Sequence, residues 1–344
     1  MLWAGRMEPQ DLQDAARLSV APMMDWTDRH CRYFHRLMSA RALLYTEMVT
    51  APALVRGGAV RLLDFDPAEQ PVAVQLGGSD PRELGRATAM CVARGYAEVN
   101  LNVGCPSGRV QSGAFGAVLM QRPALVAECV RHMKDTAQDA EITVKCRIGV
   151  DEQEPEKVLP DFLETISKAG VRRVIIHARK AWLKGLSPKE NRDVPPLDYA
   201  LVHRMKAAFP HLHISLNGGV ASLEAARGHL AAGMDGVMIG RAAYHQPADI
   251  LLAADREIFG APTPAKTAHQ VAREMLPYID RHLAAGGRLH DVTRHMLGLF
   301  AGRPGARAWR RILSEGATRP GAGPELVVEA LAKVPEPPER KVAS

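Results

Sequence analysis

The stretch Val99-Asn100-Leu101-Asn102-Val103-Gly104-Cys105-Pro106-Ser107 decides how this chain is read. It reads as a buried strand that runs straight into a tight turn. Gly104 lets the backbone turn sharply and Pro106 fixes the turn. A parallel strand presents its carboxyl end to the ligand side of an α/β sheet. Cys105 is therefore expected at a cleft mouth, held as a proton donor or nucleophile must be. Taken alone, a cysteine is more often a small buried hydrophobe. The same punctuation recurs along the chain, each time at the end of an apolar run, and that repetition favours the chemical reading.

Working outward, short β-prone runs fall at Leu18–Ala21, Ala42–Tyr45, Val72–Leu76, Glu98–Leu101, Ile142–Cys146, Arg173–Ile176, His213–Leu216 and Gly236–Ile239. Helical spacing lies between them, as in Asp80–Arg94, Pro123–Ala137, Pro160–Lys168, Asp198–Ala208 and Ser222–Ala231. Several of these open at Asp or Ser and close at Gly, the expected caps. Eight β-then-α units are what a closed (β/α)8 TIM barrel of about 250 residues requires. An open doubly wound sheet would use fewer strands and begin with a glycine fingerprint that is missing here.

The domain expectation is an N-terminal extension over 1–17 that carries no periodic pattern and frays. A barrel follows over 18–260, then a small C-terminal helical domain over 261–333 and a disordered proline-rich tail over 334–344. Apolar spacing in the C-terminal part points to helices over Ala268–Leu283, Arg294–Phe300 and Ala306–Leu313.

Of 344 residues, 47% are hydrophobic and 24% charged, ordinary globular material. No apolar run reaches the roughly 18 residues that span a bilayer, so no membrane partner is expected. No signal peptide is recognisable. The cysteines, Cys31, Cys91, Cys105, Cys129 and Cys146, form an odd, scattered set with no CxxC pair. They argue against a disulfide framework or a metal cluster and for a reducing cytoplasm. No obligate protein partner is evident. The net charge is +6, and residues 262–344 alone hold 13 basic against 8 acidic side chains. A localised positive surface beside a neutral body suggests a polyanion partner.

The strand ends carry the candidate site residues. The first ends Pro22-Met23-Met24, an apolar turn against which a planar ring could lie. The third supplies Gln75, able to hydrogen-bond a heterocycle edge. The fourth supplies Asn102 and Cys105, the fifth Lys145, the sixth His177. The seventh ends Asn217-Gly218-Gly219 and the eighth Gly240-Arg241. Loops after strands 7 and 8 are the usual phosphate site of such a barrel. A phosphate site, a ring platform, an amide and a buried lysine fit flavin mononucleotide (FMN), with Lys145 toward the pyrimidine end of the ring.

At these residues the chain resembles the tRNA-dihydrouridine synthases, most closely their A subfamily. The matching motifs are APMMDWTDRHCRYF from Ala21, YTEMV from Tyr45, VQLGG from Val74, NLNVGCPS from Asn100 and VKCRIG from Val144. They continue with HARKAWLKGLSPKENR from His177, NGGV from Asn217 and MIGRAAY from Met238, in order over roughly residues 18–315. The resemblance implies FMN as cofactor, NADPH as reductant and D-loop uridines of tRNA, at positions 20 and 20a, as substrate. It implies that Pro22, Met23, Met24, Gln75, Lys145, His177, Asn217, Gly218, Gly219, Gly240 and Arg241 bind FMN. Cys105 would be the general acid and Asn102 would contact the target base. Two positions depart from the family pattern: Gly108 stands where an Asp is usual, and Val118 where a Cys is usual. Further tRNA contacts are expected from Arg109, from Lys189 and Arg192 in the subfamily signature, and from Arg307 and Arg310, which share one helix face. The rival reading is a flavin barrel acting on a free pyrimidine, like dihydroorotate or dihydropyrimidine dehydrogenases. The basic C-terminal part argues against it, since a free pyrimidine needs no such surface. An RNA-binding module with a vestigial barrel is a third reading, and the intact set of flavin-site residues argues against that.

Overall fold

The computed structural model describes residues 9–108, 114–137 and 140–336. Eight parallel strands close into a barrel in sequence order. They are β1 (Leu18–Val20), β2 (Leu43–Thr50), β3 (Val72–Gly77), β4 (Glu98–Val103), β5 (Glu141–Arg147), β6 (Arg173–His177), β7 (His213–Asn217) and β8 (Gly236–Ile239). Each expected run is a strand, and the expected (β/α)8 TIM barrel is the fold. β3, β4, β5, β6 and β7 run one or two residues further than the apolar runs do, and in β4 to β7 the extension adds a polar residue, Asn102, Arg147, His177 or Asn217. β2 is the longest extension, with a register shift between Tyr45 and Met48.

The chain divides into two compact units, Met1–Arg32 with Arg41–Gly240, and Tyr33–Ala40 with Arg241–Ser344. Residues 241–260 thus group with the second unit rather than with the barrel. In the first unit, residues 9–17 depart from expectation. Pro9–Ala15 is a helix, and Leu12, Ala15 and Ala16 are buried against Leu43, Tyr45, Ala73, Ile175 and Met238 of the barrel interior. Burial of these few apolar side chains orders a segment too short to show a periodic pattern. Gly236 is required beneath it, since a Cβ there would lie 2.3 Å from the Ala16 carbonyl oxygen. The helix expected to open at Pro160 instead spans Pro155–Lys168, with Pro155 at its first position and Pro160 inside.

The second unit includes the helices Ala268–Glu274, Leu276–Ala284, Ala306–Gly316 and Glu325–Leu331, and Trp309 lies on the third of these. Trp309 is fully buried, donates from Nε1 to the Met296 carbonyl at 2.9 Å and meets Phe300 edge-on. The expected helix over Arg294–Phe300 is a run of turns. Gly298 explains it: a Cβ there would lie 2.4 Å from the His245 carbonyl oxygen, so the backbone itself is the packing surface. The expected tail begins ordered, with Val334 buried and its carbonyl 3.1 Å from His269 Nε2. Residues 337–344 lie outside the described residues. Among the described residues no helix is long and apolar enough to cross a membrane.

Candidate active site

Side chains two apart on a strand share a face. On β4 the shared residues are Glu98, Asn100 and Asn102, all buried, and their polar groups form one chain inside the barrel. Asn102 Nδ2 donates to Gln75 Oε1 at 2.8 Å, and Gln75 Nε2 donates to Asn100 Oδ1 at 2.8 Å. Asn100 Nδ2 donates to Thr143 Oγ1 at 2.8 Å, whose hydroxyl donates to Glu98 Oε1 at 2.7 Å. Glu98 also accepts from Tyr45 at 2.6 Å and from Arg173, which reaches Glu141 at 3.0 Å. A carboxylate can only accept and a backbone N–H can only donate, so both ends of this chain fix the direction of every amide in it.

The upper end is the Cys105 turn. Asn102 Oδ1 accepts the backbone N–H groups of Gly104 at 3.1 Å and Cys105 at 3.0 Å. The Cys105 carbonyl accepts from Ala117 N at 2.9 Å. Cys105 is half-buried, whereas the other four cysteines are buried. The structure thus holds this thiol by its backbone on both sides and leaves it partly accessible.

Cations gather at the same level. Asn102 pairs in register with Lys145, and Arg147 with His177, which pairs in turn with Asn217. Among the described residues no carboxylate pairs with Lys145 or Arg147. Burial, then the charge of Arg147, pushes the Lys145 ammonium down to about 8. Burial, then Arg192 and Arg179, brings Arg147 down to about 10. Burial, then Arg147, Lys145, Arg179 and Arg192, holds His177 neutral, well below its ordinary value. His177 Nδ1 is buried with no partner among the described residues, and so are Arg179 Nε and, at the start of β6, Arg173 Nε. Orphaned buried polar atoms in a strand-end cluster mark a place where a ligand completes the hydrogen bonding.

The β7 ending builds a cradle. Gly218 (φ +108°) and Gly219 (φ +72°) occupy left-handed backbone that favours glycine. A Cβ at Gly218 would lie 3.2 Å from the His177 ring, and one at Gly219 2.5 Å from Leu197. Tyr199 donates its hydroxyl to the Gly218 carbonyl at 2.7 Å, and Asn217 Nδ2 donates to Met238 O at 2.8 Å. Met23 lies beside Gly240, its sulfur 3.6 Å from where a Cβ would stand. Thr27 Oγ1 accepts the Met23 N–H at 2.9 Å, which shapes the turn after Pro22. Met24, expected as part of an apolar platform, is 53% exposed. Arg241 follows Gly240 and opens the helix Arg241–His245.

The structure brings together Gln75, Asn102, Cys105, Lys145, His177, Asn217, Gly218 and Gly219. Lys189 and Arg192 are exposed on the loop after β6, and Arg307 and Arg310 are exposed on Ala306–Gly316 in the second unit. Arg109 lies outside the described residues. Arg147 and Arg179 are additions that sequence reasoning missed. For Arg147 the signal was available, since it follows Lys145 by two on β5 and so shares its face; Arg179 lies in the bend past the end of β6, where strand period gives no guide.

A family model described as "Dihydrouridine synthase (Dus)" matches residues 19–334. The tRNA-dihydrouridine(20/20a) synthase of Vibrio cholerae is 56% identical over 322 residues, covering 93% of this chain and 97% of that protein. The tRNA-dihydrouridine(20/20a) synthase of Escherichia coli K12 is 55% identical over 325 residues, covering 94% and 93%. Among solved structures, the old yellow enzyme homologue from Zymomonas mobilis superposes with a TM-score of 0.51 at 12% identity, covering 74% of this chain and 91% of that one. That likeness is one of fold. The family match and the extent of these identities agree with the turn, the cation cluster and the cradle: the chain belongs to the dihydrouridine synthase family.

Proposed function

We propose that this protein reduces the C5=C6 bond of uridines at positions 20 and 20a of the tRNA D-loop, in the cytoplasm, with FMN as cofactor and NADPH as reductant. The observation that carries the reading is the Cys105 turn, clamped by Asn102 and set beside cations that lack carboxylates. The relatives named for this activity at positions 20 and 20a, matched over nearly their whole length, support the choice of substrate.

FMN fits the residues present. The orphaned His177 Nδ1 and the uncompensated Lys145 suit an anionic, hydrogen-bonding heterocycle. The Gly218–Gly219 cradle, with Gly240 and Arg241, suits its phosphate. Pro22, Met23, Met24, Gln75 and Asn217 would complete its surroundings. When bound, and reduced by NADPH, it supplies the hydride that C6 of the uracil takes up.

The protein's own part is to hold the base and deliver a proton. Asn102 Oδ1 is saturated by two backbone N–H groups and one Nδ2 hydrogen by Gln75. Its remaining hydrogen-bonding position is an N–H, so on the base it meets a carbonyl oxygen and not N3–H. The Cys105 thiol gives its proton to C5, and the thiolate left behind lies in the field of Lys145 and Arg147. A uridine inside a folded RNA must be extruded to reach this turn. Lys189, Arg192, Arg307, Arg310 and Arg109 would bind the tRNA phosphates.

Unmodified tRNA incubated with the enzyme and NADPH should gain dihydrouridine at these positions, read by nucleoside mass spectrometry. Cys105→Ala should slow this by about 10²–10⁴-fold, the usual contribution of one general acid. The variant should keep its flavin and still bleach it with NADPH. Dihydrouridine formation at the parent rate would show that another group is the acid.

A further inference from the structure

We propose that Arg147 is a positioning residue that ties the loop after β6 to the Cys105 turn, so that the segment meeting the RNA sets the placement of the acid. The inference rests on the functional reading only in taking that loop as the part that meets tRNA.

Arg147 is the last residue of β5 and is buried. No carboxylate balances it among the described residues, yet at about 10 it keeps its charge at neutral pH. Its hydrogen bonds go to backbone carbonyls of two separate segments. Nε donates to Gly104 O at 3.1 Å, and Nη1 donates to Asn191 O at 3.0 Å and Lys180 O at 3.3 Å. A guanidinium is planar and its donors have a fixed fork, so it transmits position in a way a flexible ammonium does not.

Both ends of this tie are themselves built. The Gly104 N–H is held by Asn102 Oδ1 and its carbonyl by Arg147, so the peptide units on either side of Gly104 are gripped. Asn191 is fully buried and closes its own loop. Its Oδ1 accepts Trp182 N at 2.7 Å, and its Nδ2 donates to Trp182 O at 2.9 Å and Leu186 O at 3.2 Å. Exposed Lys189 and Arg192 stand on either side of Asn191 in the chain. A pull on either is carried to the Asn191 carbonyl, then to Arg147, then to the residue preceding Cys105. Nothing in this path requires the loop to touch the thiol.

The test is a double-mutant cycle on thiol reactivity in the enzyme as purified. N-ethylmaleimide should label Cys105 selectively, because the other four cysteines are buried. Asn191→Ala and Arg147→Lys, which keeps the charge without the fork, should each raise the labelling rate by about threefold or more, and the double variant should match Arg147→Lys alone, the non-additivity expected of one shared path. Arg147→Met also removes the positive charge that favours the reactive thiolate, so it serves only in the turnover assay. Labelling is run below the melting temperature of the weakest variant. With unmodified tRNA, Arg147→Met should lower kcat while KM stays within about twofold, the mark of an effect on the reacting geometry rather than on docking. An unchanged labelling rate in Asn191→Ala overturns the tie, and so does a double variant whose rate is the product of the two singles. Labelling needs neither RNA nor reductant, so a protein inactive on tRNA that still shows the cycle would keep the tie and lose only the functional reading.

Discussion

Two sets of basic side chains share this barrel, and they are treated in opposite ways. Arg173 opens β6 and is completely buried. Burial alone would lower its pKa, but Glu98 and Glu141 hold it well above its ordinary value. Four residues further along the same strand, about 13 Å at strand rise, stands His177, and beside it on β5 are Lys145 and Arg147. These face one another with no carboxylate among the described residues, and the pKa of each is lowered. A buried charge costs several kcal/mol unless compensated. The lower set is compensated within the fold, and on the proposed function the upper set is left for an anionic ligand to compensate.

That contrast makes its largest prediction about stability. Arg173→Met should cost about 3–5 kcal/mol, because it leaves Glu98 and Glu141 buried without their cation. Lys145→Met removes a charge that has no partner to orphan, so with parent and variants compared in flavin-free form it should cost nothing or add stability, while the protein as purified loses flavin. Urea unfolding midpoints at neutral pH, with flavin content measured on the protein as purified, decide it. Equal midpoints for the two variants would erase the distinction between the sets.

The same contrast explains what could be read from the sequence. All eight strands were legible, because parallel strands are apolar toward the surrounding helices and break the chain into regular runs. Their ends were cut short at Leu101, Cys146 and Ile176, where the residues turn polar to face the site. Strand-end residues such as Cys105, Lys145 and Gly218 were legible from their place after each run. The interior chain through Gln75, Asn100, Thr143, Glu98 and Arg173 was not, since its partners come from strands up to 75 residues apart and only closure makes them neighbours. The Pro9–Ala15 helix was hidden for the opposite reason, being too short to show a period and ordered by the barrel floor it covers.

Exposed cations form a third class that sharpens the comparison. Lys189, Arg192, Arg307 and Arg310 are in solvent, where charges add little to stability. Replacing all four by Ala should leave the unfolding midpoint within about 0.5 kcal/mol of the parent. It should weaken tRNA binding and flatten the dependence of log K on log salt by a slope of roughly 2–4, at ~0.7–0.9 per lost phosphate contact. Flavin content should not change. An unchanged salt slope would place the RNA elsewhere on the surface.

The smallest expected effect bears on Lys145 alone, and it has two signs. Its proton is held to about 8 in the folded protein against 10.5 in an ordinary lysine. Between those values the lysine itself adds stability as pH rises, because the unfolded chain holds its proton and the folded one does not. Cys91, Cys129 and Cys146, pushed by burial up to about 12, act in the opposite direction from about pH 9, so the lysine's part is read as the parent minus Lys145→Met. An anionic ligand prefers the ammonium, so flavin affinity should fall as pH climbs past about 8, by up to about tenfold per unit. Arg147 keeps its charge up to about 10 and His177 is neutral from pH 7 to 9, so over that range the difference between parent and Lys145→Met reports the lysine. Lys145→Met should lack the rise and show only the fall in stability that the buried cysteines impose toward pH 9. Stability and affinity that moved in the same direction with pH would mean that the charge is compensated inside the protein, and Lys145 would then belong with Arg173.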